Sequence, residues 1–222
     1  MSHGVTRRLV RMTGAAVLLS SLLTACVGPL LVGGAMVGGT LLAVDRRTSG
    51  AQLDDEAIEL RAASQIRSSL GTRVRASVTS YNRQVLLTGE VPNLQDKQRV
   101  EDAVKAVDSV ASVVNELAVL NSPSLMDRSA DTLLTGRVKA MLLDARDLQS
   151  NAFKVVTERN TVYLMGRVTQ REAEHATEVV RGTPGVQKVV RILEIISERE
   201  LQRLGTLPSQ NQPPAAAKPA RF

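Results

Sequence analysis

The sequence predicts an α+β fold made of two tandem αββαβ units, each a small three-stranded mixed sheet packed on two helices. Two observations carry this. "VTSYNRQVLLTGEV" (78–91) and "VVTERNTVYLMGRV" (155–168) align without gaps, so one layout occurs twice in the 222 residues. Within each copy the apolar spacing changes from every fourth residue to every second and back, as expected of helix, strands and helix in turn.

In the first copy, residues 51–121, Ile58, Ala62, Ile66 and Leu70 recur every four residues and mark a helix. The segment 78–91 then reads as a β-hairpin, alternating apolar residues around a polar turn. A second helix over about 93–107 carries Val100, Ala103, Val104 and Val107, and "DSVASVVNELAVL" (108–120) reads as a last strand. The second copy, residues 127–197, repeats this: Leu134, Val138 and Leu142, then the hairpin, a helix over 170–182 and the strand "TPGVQKVVRILEI" (183–195). Gly89 and Gly166 occupy one place in the second strand, where glycine marks a bulge or a close backbone approach. Asp54, Asp55 and Glu56 read as a helix start, where carboxylates favour the free amides, and Asp131 as its counterpart. The tail, 198–222, is rich in Pro, Gln and Ala towards its end and is expected to be disordered.

Ahead of the copies lies an apolar segment. Arg7, Arg8 and Arg11 precede Ala15–Leu23, which is short for a bilayer span, and small residues lead into Cys26, the layout of a secretory signal over 1–25. Leu23-Thr24-Ala25-Cys26 resembles the bacterial lipobox, which implies lipidation of Cys26, cleavage before it and, with valine next, outer-membrane sorting in a Gram-negative bacterium. Two or more acyl chains suffice for stable anchoring, at about 0.8 kcal/mol per buried methylene. The other reading is an uncleaved signal anchor reaching Val44 with an unmodified Cys26. Residues 26–50 form an apolar, glycine-rich linker, expected to lie along the membrane; Gly34 and Gly38 at a GxxxG spacing leave insertion as the second possibility.

Composition narrows the function classes. The formal charge of +6 owes half its excess to the three arginines of the leader, and the few aromatics argue against base stacking, so nucleic acid is not an expected partner. One cysteine permits no internal disulfide and no thiolate metal set. Past the leader the one histidine, His175, lies near Glu172 and Glu178 at helical spacing, and Glu178 is the expected partner on a solvated face. No nucleophile–base constellation is present, so neither catalysis nor a cofactor or metal is expected.

The Val-x-Leu-x-Gly-x-Val strand and the ending Gly185-Val186-x-x-Val189-Val190, written Ser109-Val110-x-x-Val113-Val114 in the first copy, resemble the BON domain, an αββαβ module of bacterial envelope proteins. Ser109 departs from the family's glycine and predicts a somewhat different turn there. The resemblance, with the lipobox, implies a non-enzymatic, phospholipid-associated lipoprotein on the periplasmic face of the outer membrane that supports membrane integrity.

The copies differ in their first helix. Aligning Ala62, Ile66 and Leu70 with Leu134, Val138 and Leu142, an offset of 72, sets Leu133, Arg137 and Met141 against polar Arg61, Gln65 and Ser69. The broader apolar surface, with Leu134 and with Lys139 nearby, suits contact with anionic phospholipid. Packing beneath the other domain or the 144–152 loop would account for it equally. An adaptor that recruits envelope-assembly proteins through the same face is the alternative function, and a small-molecule binder between the domains a third.

Overall fold

The computed structural model describes residues 45–120 and 125–206, apart from the side chains of 125–128 and 205–206. The signal segment, Cys26, most of the linker and the end of the tail, 207–222, lie outside the described residues. Both copies belong to one unit, Ala43–Phe222.

The chain runs α1 (Ser49–Leu70), β1 (Arg75–Tyr81), β2 (Gln84–Val91), α2 (Leu94–Lys105), β3 (Ser112–Asn115) and β4 (Ala118–Val119). It continues as α3 (Leu125–Asp144), β5 (Phe153–Glu158), β6 (Thr161–Val168), α4 (Gln170–Arg181), β7 (Lys188–Ile195) and α5 (Glu198–Thr206). Each sheet is mixed: β2 pairs antiparallel with β1 and parallel with β3 and β4, and β6 pairs antiparallel with β5 and parallel with β7. The last strand of the first copy is broken at Glu116–Leu117, so that sheet has four strands where three were expected. The α5 helix corrects the expectation of disorder from residue 198; Glu200 ties it to Arg167 at 2.6 Å.

The central strands are buried on both faces. In β2, Val85, Leu87 and Val91 pack under α1 and α2, while Leu86 points the other way. In β6, Val162, Leu164 and Val168 pack under α3 and α4, while Tyr163 and Met165 point away. Leu86, Tyr81, Tyr163, Met165 and Ile192 form a third core in which the two sheets meet back to back. The layers are therefore helices, sheet, sheet, helices, and among the described residues neither sheet covers the outer faces of the helices. Strand alternation placed half of each central strand on the far side of its sheet, and duplication supplied the cover.

Charged groups frame this junction. Glu90, 2 % exposed, accepts from Arg75 (Nη2–Oε1 2.8 Å), Arg159 lies 3.7 Å from it, and Arg75 also binds Glu158 of the other copy. The Tyr163 hydroxyl donates to Glu116 across the junction; burial, then the nearby carboxylate, pushes its pKa up to about 12.

Asp55 and Asp131 correct the reading of a helix start. Thr48 is the cap of α1, its hydroxyl accepting from Ala51 N–H, so Asp55 sits two turns in. Buried, it accepts the Asn82 and Arg83 amides (2.7 and 2.8 Å) and the Ser80 hydroxyl (2.6 Å). Asp131 does the same for the Arg159 and Asn160 amides at 2.8 and 3.0 Å. All four turn residues have positive φ, from 49° to 67°, as a two-residue hairpin of the primed type requires, and without glycine the carboxylate holds the strained turn. Burial opposes the ionised form of Asp55, but the Ser80, Arg83 and Arg47 hydrogen bonds outweigh it and its pKa lies below the ordinary range.

These aspartates also reset the repeat register. Asp55, Ile58, Ala62 and Ile66 match Asp131, Leu134, Val138 and Leu142 in burial and role, an offset of 76 rather than 72. One turn of slip keeps a four-residue stripe in phase, which is why apolar spacing alone does not detect it. Ser109 takes a φ of 71° where Gly185 takes 101°, so serine adopts the same left-handed turn as the glycine, not a different one; the Arg83 Nε–H donates to the Ser109 carbonyl at 2.7 Å.

Candidate functional site

The outward face of α3 is where the copies diverge most. Its inner face seats Leu134, Val138 and Leu142 in the core, none more than 4 % exposed. Leu134 is therefore a core residue, 4 % exposed, and the expectation that it meets lipid is corrected. On the outer side, Leu133 and Leu143 are 72 and 74 % exposed, and Met141, on the flank of the inner face next to Leu134, is 41 % exposed. At 100° per residue, Leu133, Gly136, Ala140 and Leu143 fall within an arc of about 80°. Arg137 borders one side of that arc, with Met141 beyond it towards the core face, and Lys139 borders the other.

The back-to-back sheets explain why nothing of this chain covers that face among the described residues. The other copy meets β5–β7, and the 144–152 loop packs Leu148 into the core instead of roofing Leu133. Arg137 lies along the surface, Nη1–H donating to the Pro184 carbonyl at 2.6 Å, with the rest of the guanidinium exposed. Lys139 is exposed, and Asp144 at the helix end is the opposing charge. The arrangement is an apolar strip with cations at its borders, able to enter an acyl boundary while Lys and Arg stay at headgroup level.

In the corrected register the first copy lacks the strip. Ala57, Gln65 and Arg67 stand where Leu133, Met141 and Leu143 stand, and Ser64 where Ala140 stands. Leu143 is the residue that sequence reasoning missed: it lies on the flank of Leu133 away from Met141, at i+10, and a search at four-residue steps passes over it.

His175 forms no ion pair with Glu178 among the described residues, which corrects that pairing, and no group of three or more metal-ligating side chains is found among them. Glu172 has other work: it closes the capping box of α4 with Thr169 and takes both arms of Arg46. No helix among the described residues is long and apolar enough to cross a membrane.

The family model described as BON domain matches twice, over residues 54–121 and 130–197. The outer membrane lipoprotein DolP of Haemophilus influenzae is 33 % identical over 199 residues, 88 % of this chain and all of that protein. The 21 kDa hemolysin of Actinobacillus pleuropneumoniae is 30 % identical over 69 % of this chain and 80 % of its own. A solved structure of CdsD, a structural protein of the type III secretion system of Chlamydia trachomatis, is 13 % identical with a TM-score of 0.28, over 68 % of this chain and 98 % of that one.

Proposed function

The chain belongs to the BON-domain family, and from that premise we propose that it is a lipoprotein of the outer membrane, lipidated at Cys26, whose second domain binds anionic phospholipid on the periplasmic face and so supports membrane integrity. The lipid contact is the α3 strip of Leu133, Met141 and Leu143 with Arg137 and Lys139 beside it. The observation that carries this reading is the exposure of that strip on a helix whose other face is fully seated in the core. The DolP relative, a lipoprotein by name and matched along its whole length, supports the anchor and the location.

Magnitudes favour a division of labour. Immersing Leu133 and Leu143 is worth about 2 kcal/mol each and Met141 about 1. The two cations add about 1 kcal/mol each at an anionic surface. The total, roughly 7 kcal/mol before ordering costs, is comparable with one acyl chain, which alone holds only marginally. The helix binds anionic surfaces weakly by itself and selects them, and the anchor makes the attachment lasting.

Co-sedimentation of residues 43–222, which keep Arg46 and Arg47, tests the helix. Binding to phosphatidylglycerol vesicles and not to phosphatidylcholine is expected, with loss on Leu133→Asp combined with Leu143→Asp. Equal binding by the double variant would reject the lipid site. Mass spectrometry of the mature amino terminus tests the anchor: diacylglyceryl on Cys26 is expected, and an unmodified cysteine in an uncleaved chain would reject it.

A further inference from the structure

The outer edge of β1 is closed at one end and open at the other. Ser80 N–H donates to Glu59 Oε1 at 2.8 Å, and its carbonyl accepts from Lys154 Nζ at 3.1 Å, so both groups point away from β2. Main-chain direction repeats every second residue, so the N–H and C=O of Ala76 and Val78 point outward too. No hydrogen bond among the described residues reaches those groups.

Over this open stretch stands α1. Glu56, Glu59, Leu60 and Ala63 of the helix and Ala76, Ser77 and Val78 of the strand line a groove of about 530 Å³ whose surface is mainly apolar. Leu60 is 73 % exposed there. Glu59 is shared with Lys154, while Glu56 has no ion-pair partner among the described residues. In the second copy the positions of Glu56, Glu59, Leu60 and Ala63 are Thr132, Thr135, Gly136 and Lys139, so the acidic and apolar lining belongs to the first copy alone.

Unpaired strand groups, an apolar floor and an uncompensated carboxylate suit one kind of occupant, an extended peptide that adds a strand. We propose that the β1 edge from Ala76 to Val78 receives an extended peptide segment of a protein partner, which sets an apolar side chain against Leu60 and Ala63 and a Lys or Arg against Glu56. Glu59 and Lys154 end the pairing at Ser80 and fix its register. The groove lies in the first domain and the α3 strip in the second, so the two surfaces do not compete for residues.

The full chain in phosphatidylcholine nanodiscs tests this with the labelled peptide Thr-Lys-Val-Thr-Val-Lys, a version with Glu for both Lys, and one with Pro for the central Thr. Leu60→Asp and Glu56→Lys alter exposed side chains, and circular dichroism checks their fold. Binding of the basic peptide with slowed amide exchange at 76–78 is expected, the Glu and Pro versions binding at least about tenfold more weakly, a difference of about 1.4 kcal/mol. Glu56→Lys should reverse the charge preference and Leu60→Asp should remove binding. Failure to bind at millimolar peptide, equal binding of all three peptides, or protection confined to another element would overturn the proposal.

Discussion

Arg46 and Glu172, 126 residues apart, are joined by two hydrogen bonds of 2.8 and 2.7 Å with both side chains almost fully buried. Arg46 also donates to the Arg167 carbonyl at 3.0 Å, while its neighbour Arg47 binds Asp55 at 2.7 Å and lies over the Tyr81 ring at 4.4 Å. Successive residues at the end of the linker thus grip the second copy and the first. The linker reading of residues 26–50 holds no contact of this kind, because two arginines after an aspartate look like any solvated turn until their partners are known.

Arg46→Ala removes the grip on Glu172. Stranding a buried carboxylate costs about 3–5 kcal/mol, but the short segment can peel back and admit water, so a loss of about 2 kcal/mol is expected for residues 43–222. Urea unfolding measures it. Arg46→Lys should recover only part, since an ammonium cannot make the two-pronged contact.

Acid should act through the same groups. Burial raises the Glu172 pKa, but the Arg46 bonds and the Thr169 amide lower it further, leaving it below its ordinary 4.5, and Asp55 is likewise lowered from 3.8. Their folded pKa values are depressed, so their stabilisation is complete above the unfolded values and is lost as pH falls through the folded ones. The melting temperature should hold from pH 7 to 5 and fall below about 4.5, the ordinary carboxylate range. Glu172→Gln should start lower and fall less steeply.

The sheet-to-sheet core should make the two domains unfold together. Met165→Ala, at a residue 0 % exposed, is expected to cost about 2–5 kcal/mol. Met165→Asp should split one calorimetric transition into two and raise the radius of gyration. An unchanged single transition in the Asp variant would contradict the packing.

Three glycines should respond in opposite directions to alanine. A Cβ on Gly89, at φ 118°, would meet the Arg75 carbonyl oxygen at 2.0 Å, and one on Gly166 the Ala152 oxygen at 2.3 Å, so both changes should destabilise, by about 3 kcal/mol or more. Gly136 in α3 has nothing within 4 Å of that position, and Gly136→Ala should stabilise by about 1 kcal/mol. Thermal unfolding of the three variants separates them.

The periodicity that marks Ile58, Leu134 or the Val-x-Leu strands records which residues face a core, and that part of the fold is readable from the chain. Strand alternation in "QVLLTGEV" also shows an apolar Leu86 on the wrong side, a hint of a second covered face that only the partner sheet explains. The roles of Asp55, Asp131 and Arg46 are set by amides and a carboxylate far away in sequence, and local pattern does not carry them. At the α3 site, Leu133, Arg137, Met141 and Lys139 are legible as surface because they flank a four-residue stripe. Leu134 stands next to Leu133 in the chain, but its own membership of the four-residue stripe places it in the core, 4 % exposed.

The contact between α3 and lipid is tested most directly by paramagnetic broadening. Amide and methyl signals of residues 43–222 would be recorded on phosphatidylglycerol nanodiscs with a spin label on the acyl chains. Broadening centred on Leu133, Ala140, Met141 and Leu143, with Leu53 and Leu60 of the first domain unaffected, is the predicted result. Broadening spread evenly over both domains, or centred away from α3, would contradict it.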